Sequence, residues 1–233
     1  MSDRPDLKLI RLYNRKIQRF LPDKKIFFIG FNKTATVSLA ILMNRSGIRC
    51  VHWTENGQVG SPNIAEEVER RLFDDRELSA YLGRWTAFTD LTGGTGSSTD
   101  GNRHFRRFDE VFPNAFFVLN DRDTEAWIRS RTAHEGGILV REAAERLGVS
   151  EADVPDIWRA DKERHVADVL AYFRGRKRFL HFRIDADPPS ILTRFFWPTF
   201  FVSTSRWPHA NKTFPTRMVS SAAKNWRSTE QPL

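Results

Sequence analysis

The first strong pattern along the chain is a short unbroken apolar run, Ile26-Phe27-Phe28-Ile29, closed by Gly30. A run without polar alternation predicts a strand buried on both faces, as in a parallel sheet. After a polar turn, residues 36–46 carry Val37, Leu39, Ala40, Ile41, Leu42 and Met43, then stop at Gly47. That pattern predicts a buried helix with a glycine end signal. Residues 48–53 read as a second strand, so the chain opens β-α-β, a crossover that implies parallel pairing.

The same patterning continues downstream. Residues 64–82 are charged with helical period, residues 85–89 read as a strand, and Gly93 to Ser98 form a flexible tract. A short helix over 103–112 leads through Pro113 into Ala115-Phe116-Phe117-Val118-Leu119, the clearest central strand, after which Asp123 can cap a helix carrying Trp127 and Ile128. Asp153 and Pro155 open a long helix whose Ile157, Trp158, Val166, Val169, Leu170 and Phe173 recur at helical spacing, with Gly175 beyond it. Residues 179–184 give a last strand, and one short helix is expected near 191–196. The elements predict an α/β fold in three layers, a mostly parallel central sheet with helices on both faces. The expected organisation is a basic N-terminal helical extension over 1–23, one domain over 24–212 and a polar tail over 213–233.

Composition narrows this picture in three ways. With 233 residues, 19 Phe and 7 Trp, one domain can bury a sizeable core without disulfide staples. The single cysteine, Cys50, lies in an apolar-rich segment and reads as a small buried residue, so the cytoplasm is the expected compartment. No segment approaches the roughly 18 apolar residues of a membrane span. The first twenty residues are basic and lack the apolar centre of a secretion signal. Their apolar positions still allow a basic amphipathic helix, which would either pack on its own domain or make peripheral membrane contact. The net charge of +8 favours anionic ligands of any kind.

Two motifs carry the candidate chemistry. The first, Gly30-Phe31-Asn32-Lys33-Thr34-Ala35-Thr36-Val37-Ser38, lies between a buried strand and a helix. A tight loop there turns successive backbone N–H groups toward one point, and the helix start adds positive potential. Lys33 contributes a full charge, and Thr34, Thr36 and Ser38 offer hydroxyl donors. It is not a Walker A loop, because Asn32 rather than glycine precedes Lys33. Alone, the pattern fits an ordinary polar turn with a surface lysine equally well. The second motif places Arg122 at the end of the central strand, where open α/β sheets bind ligands. Ser130 follows about two turns along the next helix. An arginine fork with a hydroxyl suits a phosphate monoester, and a salt-bridged Arg122 with a solvated Ser130 is the plainer alternative.

Taken together, the two motifs resemble the sulfotransferase family that uses 3'-phosphoadenosine-5'-phosphosulfate (PAPS), most closely its small bacterial branch. Arg122, Asp123, Trp127 and Ser130 keep the spacing of that family's 3'-phosphate motif, and the loop at Lys33 looks like its 5'-phosphosulfate loop. Phe88-Thr89-Asp90-Leu91, His165 and Trp207-Pro208-His209-Ala210-Asn211-Lys212 extend the likeness. The resemblance implies a P-loop-like sulfotransferase fold, PAPS as co-substrate and no catalytic metal. It places Asn32, Lys33, Thr34, Ala35, Thr36, Val37, Ser38, Arg122 and Ser130 at the donor. Lys33 would stabilise the leaving phosphate oxygen. Asp90 would be the general base, in the place of the catalytic histidine of cytosolic members, or else a turn cap. His52 is held in reserve as base.

Three departures stand out: Ala35 replaces a loop glycine, Val37 a hydroxyl residue, and Thr92 a proline. A methyl at position 35 is tolerated if its φ is negative and its N–H still reaches phosphate. The expected acceptor is a small molecule, glycan or lipid; the segments expected to border it, residues 53–61, 92–102 and 132–139, carry no motif that distinguishes among sugar, lipid, phenol and peptide. Two other classes compete. One is a P-loop-type kinase using Mg-ATP, with Asp121 and Asp123 as its only nearby carboxylates. The other is a non-catalytic anion- or nucleic-acid-binding protein using arginine clusters such as Arg106-Arg107. Charge runs without a nucleic-acid motif are usually solvated faces, so no nucleic-acid partner is expected. Oligomeric state leaves no mark on the sequence.

Overall fold

The computed structural model describes residues 6–94, 97–205, 207–208 and 210. Elements follow in the order α1 (Leu7–Phe20), β1 (Ile26–Phe28), α2 (Thr36–Arg45), β2 (Cys50–His52), α3 (Ile64–Arg71), α4 (Asp75–Leu82), β3 (Ala87–Thr89), α5 (Phe105–Val111), β4 (Phe116–Asp121), α6 (Thr124–Thr132), α7 (Ile138–Leu147), α8 (Val154–Tyr172), β5 (Phe179–Arg183) and α9 (Ser190–Phe196). The five strands form one parallel sheet in the order β2-β3-β1-β4-β5. The expected α/β architecture is therefore present. Among the described residues no helix is long and apolar enough to cross a membrane.

Strand periodicity sorts the core into two faces. Phe27, Phe88, Phe117 and Leu119 point to one face, where Val68, Leu78, Phe108, Val169 and Phe173 cover them. Ile26, Phe28, Ala87, Phe116 and Val118 point to the other, beneath Leu39, Leu42 and Met43 of α2 and Leu192 and Phe196 of α9. The Phe27 ring stacks between those of Phe88 and Phe108, at centroid distances of 4.8 and 4.6 Å. Each such pair adds about 0.5–1.5 kcal/mol beyond burial. A third cluster, Phe31, Trp127, Ile128, Val140, Ala143, Val154 and Trp158, joins α6, α7 and α8 to the loop after β1.

Two elements differ from the sequence expectation. The stretch 64–82 is two helices, because Asp74 accepts from the Glu77 N–H at 2.9 Å and starts a new helix there. α7 lies partly in the stretch expected to border the acceptor. It opens on Gly137 at φ 89° with no side-chain cap, so it carries no N-terminal signal. The segment 207–212 is described only at Trp207, Pro208 and Ala210; His209, Asn211, Lys212 and the 213–233 tail lie outside the described residues.

The order of strands positions the site. The chain moves from β1 to β2 and β3 on one side and to β4 and β5 on the other. Ligands of such sheets bind at the carboxyl ends of the strands flanking this switch. The two motifs follow β1 and β4, which are direct neighbours with Phe28 opposite Val118.

Candidate active site

Gly30 is required where β1 ends. A Cβ there would stand 1.8 Å from the Asn120 carbonyl oxygen, so only glycine lets the two strands approach. Asn120, fully buried, then ties the motifs together. Its Oδ1 accepts from the Gly30 N–H at 2.9 Å, and its Nδ2 donates to the Thr34 carbonyl at 3.1 Å and hydroxyl at 2.7 Å. The Thr34 hydroxyl in turn donates to the Phe31 carbonyl, so this hydroxyl is an internal strut and leaves only the backbone of Thr34 available to a ligand. Trp127 makes the second tie: its indole N–H donates to the Asn32 carbonyl at 2.9 Å, and its ring packs on Phe31. His165 makes the third, its Nε2 lying 2.8 Å from the Ile29 carbonyl and therefore donating to it. The motif residues beside the ligand-facing ones hold the loop in place.

Ala35 precedes α2 at φ 63° and ψ 23°, with no side-chain cap. The methyl therefore sits in the left-handed region, and the condition of a negative φ is not met. An L-residue pays about 1–2 kcal/mol there, which glycine avoids. The compensation is directional: the first helical bond back to the loop is Leu39 N–H to Ala35 carbonyl, 3.0 Å. The N–H groups of Thr36, Val37 and Ser38 thus keep the uncapped arrangement of a helix start, suited to an anion. The Ser38 hydroxyl oxygen accepts from the Ala210 N–H at 3.2 Å. Asn32 Oδ1 is buried without a hydrogen-bond partner among the described residues.

Lys33 also has positive φ, 64°. Burial lowers its pKa; Asp90 and Glu135 oppose this, while Arg122 and Arg131 add to it. Arg122 and Lys33 are thus near enough for their charges to interact, as two ends of one anion site require. The Lys33 ammonium lies 3.1 Å from His134 Nδ1. Burial and then Lys33 itself lower the His134 pKa, so the neutral ring accepts from the ammonium. Nothing around His134 in the sequence signals this contact. Arg131, also not singled out by its residue pattern, is stacked against Trp158 and Trp127 with its guanidinium 4.2 and 4.9 Å from their ring centroids. Burial lowers its pKa to about 10.

Arg122 stands at the end of β4 with Nε buried, 3.6 Å from the Asp185 carboxylate and without a hydrogen-bond partner among the described residues. Its carbonyl accepts from Lys162 Nζ at 2.9 Å. Ser130 is half-buried on α6. The kinase carboxylates are engaged elsewhere. Asp123 caps α6 through the Ala126 N–H at 2.8 Å. Asp121 holds Lys162 at 2.8 Å and His181 at 3.0 Å. Desolvation of Asp121 works against ionisation, but the His181 and Lys162 hydrogen bonds outweigh it and bring its pKa down to about 2. Both acids serve the scaffold.

The candidate bases meet because His52 and Thr89 are partners across β2 and β3. Asp90, at φ 55°, accepts from the Thr92 hydroxyl at 2.6 Å and the Thr36 hydroxyl at 3.2 Å. His52 Nε2 lies 3.4 Å from both Asp90 Oδ2 and Thr36 Oγ1. Thr92, a departure from the family pattern, is thus a donor that orients Asp90. Cys50 is part-buried on β2, and desolvation pushes its thiol up to about 12, far from a nucleophile's range.

An open parallel sheet whose switch-point loop gathers a lysine, an uncapped helix start and a neighbouring strand-end arginine is an arrangement suited to an extended anion. A family model described as a sulfotransferase domain matches residues 25–138, a span that contains both motifs and the β1–β4 pair between them. The match supports a sulfotransferase family for this domain, and sulfuryl transfer is the chemistry of such a domain. A search of curated proteins finds no match.

Proposed function

We propose that this protein transfers a sulfuryl group from PAPS to an acceptor hydroxyl or amine by in-line displacement. The observation that carries this reading is the pairing of the Lys33 loop with Arg122 across the neighbouring strands β1 and β4, within mutual electrostatic reach. The residues present fit a nucleotide with phosphate at two positions. The uncapped start of α2 and Lys33 suit the 5'-phosphosulfate. Arg122, with a buried Nε lacking a hydrogen-bond partner among the described residues, and Ser130 suit the 3'-phosphate. PAPS supplies the sulfuryl group and departs as adenosine 3',5'-bisphosphate.

The chain's own groups then divide the work. Lys33 stabilises the charge that grows on the leaving oxygen, with the N–H groups of Thr34, Ala35, Thr36 and Val37 around it. The Thr36 hydroxyl is shared between the donor site and Asp90, and Ser38 lies in the first turn of α2. Arg122 and Ser130 fix the register of the donor so that the reacting atoms line up. Asp90 takes the acceptor proton on its carboxylate, with Thr92 holding its other oxygen. Acceptor access falls to the side of His52, Trp53, His134 and the 92–102 segment, and a small molecule, glycan or lipid is the class expected there. The reading places the enzyme in the cytoplasm, working without a metal.

Calorimetric titration with adenosine 3',5'-bisphosphate tests the reading. Arg122→Ala and Lys33→Ala are each expected to weaken binding by about tenfold to a hundredfold, the loss of one charge-assisted contact. Equal affinity in all three proteins overturns both assignments.

A further inference from the structure

Helix α1 presents an unusual pair of faces. The face turned to the protein is held by polar clamps as much as by Ile10. Asn14 Nδ2 donates to the Ser46 carbonyl at 2.7 Å and the Phe201 carbonyl at 2.8 Å, and its Oδ1 accepts from the Phe201 N–H at 3.0 Å. Gln18 Nε2 donates to the Gly47 carbonyl at 2.8 Å, and its Oε1 accepts from the Arg49 N–H and the Thr86 hydroxyl, each at 2.9 Å. Gly47, at φ 76°, lies so near the helix that a Cβ would stand 2.8 Å from Arg11 Cα. The helix is therefore a fixed part of the molecule.

Its outer face is apolar and cationic. Leu9, Leu12 and Phe20 are 65%, 54% and 78% exposed, and with the exposed Tyr13 they fall on one stripe by helical spacing. The Tyr13 hydroxyl donates to the Pro198 carbonyl at 2.7 Å, which brings Trp197, 58% exposed, beside the stripe. Lys8, Arg15, Lys16 and Arg19 run along the same helix, which contains no acid; Arg11 turns inward, its Nε donating to the Arg45 carbonyl at 2.9 Å, and the exposed Asp6 and Asp23 flank the helix. Arg194, on the turn of α9 before Trp197, adds a further exposed cation. A protein partner would have to bring an apolar patch ringed by carboxylates, whereas an anionic bilayer supplies hydrocarbon and negative headgroups in that geometry.

We propose that the outer face of α1, with Trp197, docks this protein on anionic lipid membranes. Leucine and phenylalanine side chains enter the headgroup–acyl boundary, Trp197 sits at the headgroup level, and Lys8, Arg15, Lys16 and Arg19 meet the anionic surface. The clamps of α1 reach residues that precede β2 and β3, so docking engages the amino ends of the strands. The candidate active site lies at their carboxyl ends. The docked enzyme thus holds its donor site away from the bilayer beneath it, which suits an acceptor approaching from the aqueous side.

The test uses the full chain and vesicles of phosphatidylcholine, with and without an equal part of phosphatidylglycerol, in a co-sedimentation assay. Binding is expected only with the anionic lipid, weakening as salt is raised. A Leu9→Ser, Leu12→Ser, Phe20→Ser variant is expected to lose about tenfold or more in partitioning, with an unchanged unfolding temperature because these side chains are outside the core. Phe73→Ser removes an exposed phenylalanine from the other face of the sheet, 94% exposed, and should bind as the parent does. Three results overturn the proposal: no sedimentation with anionic vesicles, equal partitioning of the triple variant, or a lipid-free dimer that the triple variant dissolves. The last would assign the face to a second copy of the chain.

Discussion

Lys25 and Lys33 stand just before and shortly after the same strand, β1, and burial lowers the pKa of both. Lys25 lies in ordinary backbone, is 2% exposed and donates to the Trp85 carbonyl at 2.7 Å; its pKa falls to about 8. Lys33 lies at φ 64° and faces His134, a side chain that can be displaced, with Asp90, Glu135, Arg122 and Arg131 around it. The contrast extends to the ends of the sheet. Every described non-glycine residue with positive φ, namely Lys33, Ala35, Trp53, Asp90 and Glu135, belongs to the carboxyl-end site or borders a residue of it. Such conformations cost about 1–3 kcal/mol each and persist where surrounding structure enforces them. Desolvation alone therefore does not mark a functional lysine. Lys33 adds strained backbone and an exchangeable partner, the two features on which its proposed role rests.

Removing Lys33 should sharpen that contrast most. Lys33→Ala is expected to lower kcat about a thousandfold, the upper range for loss of one transition-state donor, while the unfolding temperature stays within a few degrees. Turnover with PAPS as donor and a thermal melt read the two effects separately. A variant that melts early and keeps its residual activity per folded molecule would make Lys33 a second Lys25.

The proposed proton acceptor comes next. Asp90→Asn keeps the hydrogen bonds from Thr92 and Thr36 but loses the charge, and a fall of about a hundredfold in kcat is expected for a lost general base. His52→Gln should cost much less, since its ring reaches Asp90 and Thr36 only at 3.4 Å. If His52→Gln is the more damaging change, the roles reverse: His52 is the base and Asp90 positions it.

Lys25→Met probes the other side of the comparison. It leaves the Trp85 carbonyl unpaired, for a loss of about 1 kcal/mol of stability and no change in kcat. The pH dependence has a definite sign. With a native pKa near 8 and an ordinary unfolded value of 10.5, the unfolded chain binds more protons between those limits. Stability contributed by this residue therefore rises with pH across that window. The gap between parent and variant, measured by urea unfolding, should widen from pH 7 to pH 10; a constant gap contradicts the depressed pKa.

How much of this was readable in advance follows from the kind of interaction involved. Unbroken apolar runs reported β1 and β4, and the pattern between them reported α2, because burial on both faces excludes polar residues. The likeness at Arg122, Asp123, Trp127 and Ser130 was legible, but the pattern does not say that Trp127 serves by gripping the Asn32 carbonyl. Asn120 reads as one more residue of a strand end, yet its amide joins Gly30 to Thr34. His134 reaches Lys33 across a hundred residues of chain, through a glycine-flanked turn with no local signature. Contacts set by tertiary packing leave no period in the sequence. The break between α3 and α4 was different, since Asp74 is a capping residue in plain view and helical periodicity simply ran across it.

Ala35 offers the smallest and most direct test of the strained end. Its φ of 63° and ψ of 23° suit glycine, and the methyl gains no capping bond in return. Ala35→Gly relieves the steric cost but adds backbone freedom to the unfolded chain, two effects of opposite sign. Relief of about 1–2 kcal/mol against an entropic loss of about 0.4–1 kcal/mol leaves a net gain of about 1 kcal/mol, or a few degrees in Tm. Affinity for adenosine 3',5'-bisphosphate should hold or rise, because the N–H groups of Thr36 and Val37 keep their direction while the loop loses strain. A drop in Tm would mean that the native φ at position 35 is negative. The loop would then follow a different path to the anion, and the set of N–H donors assigned to the phosphosulfate would have to be redrawn.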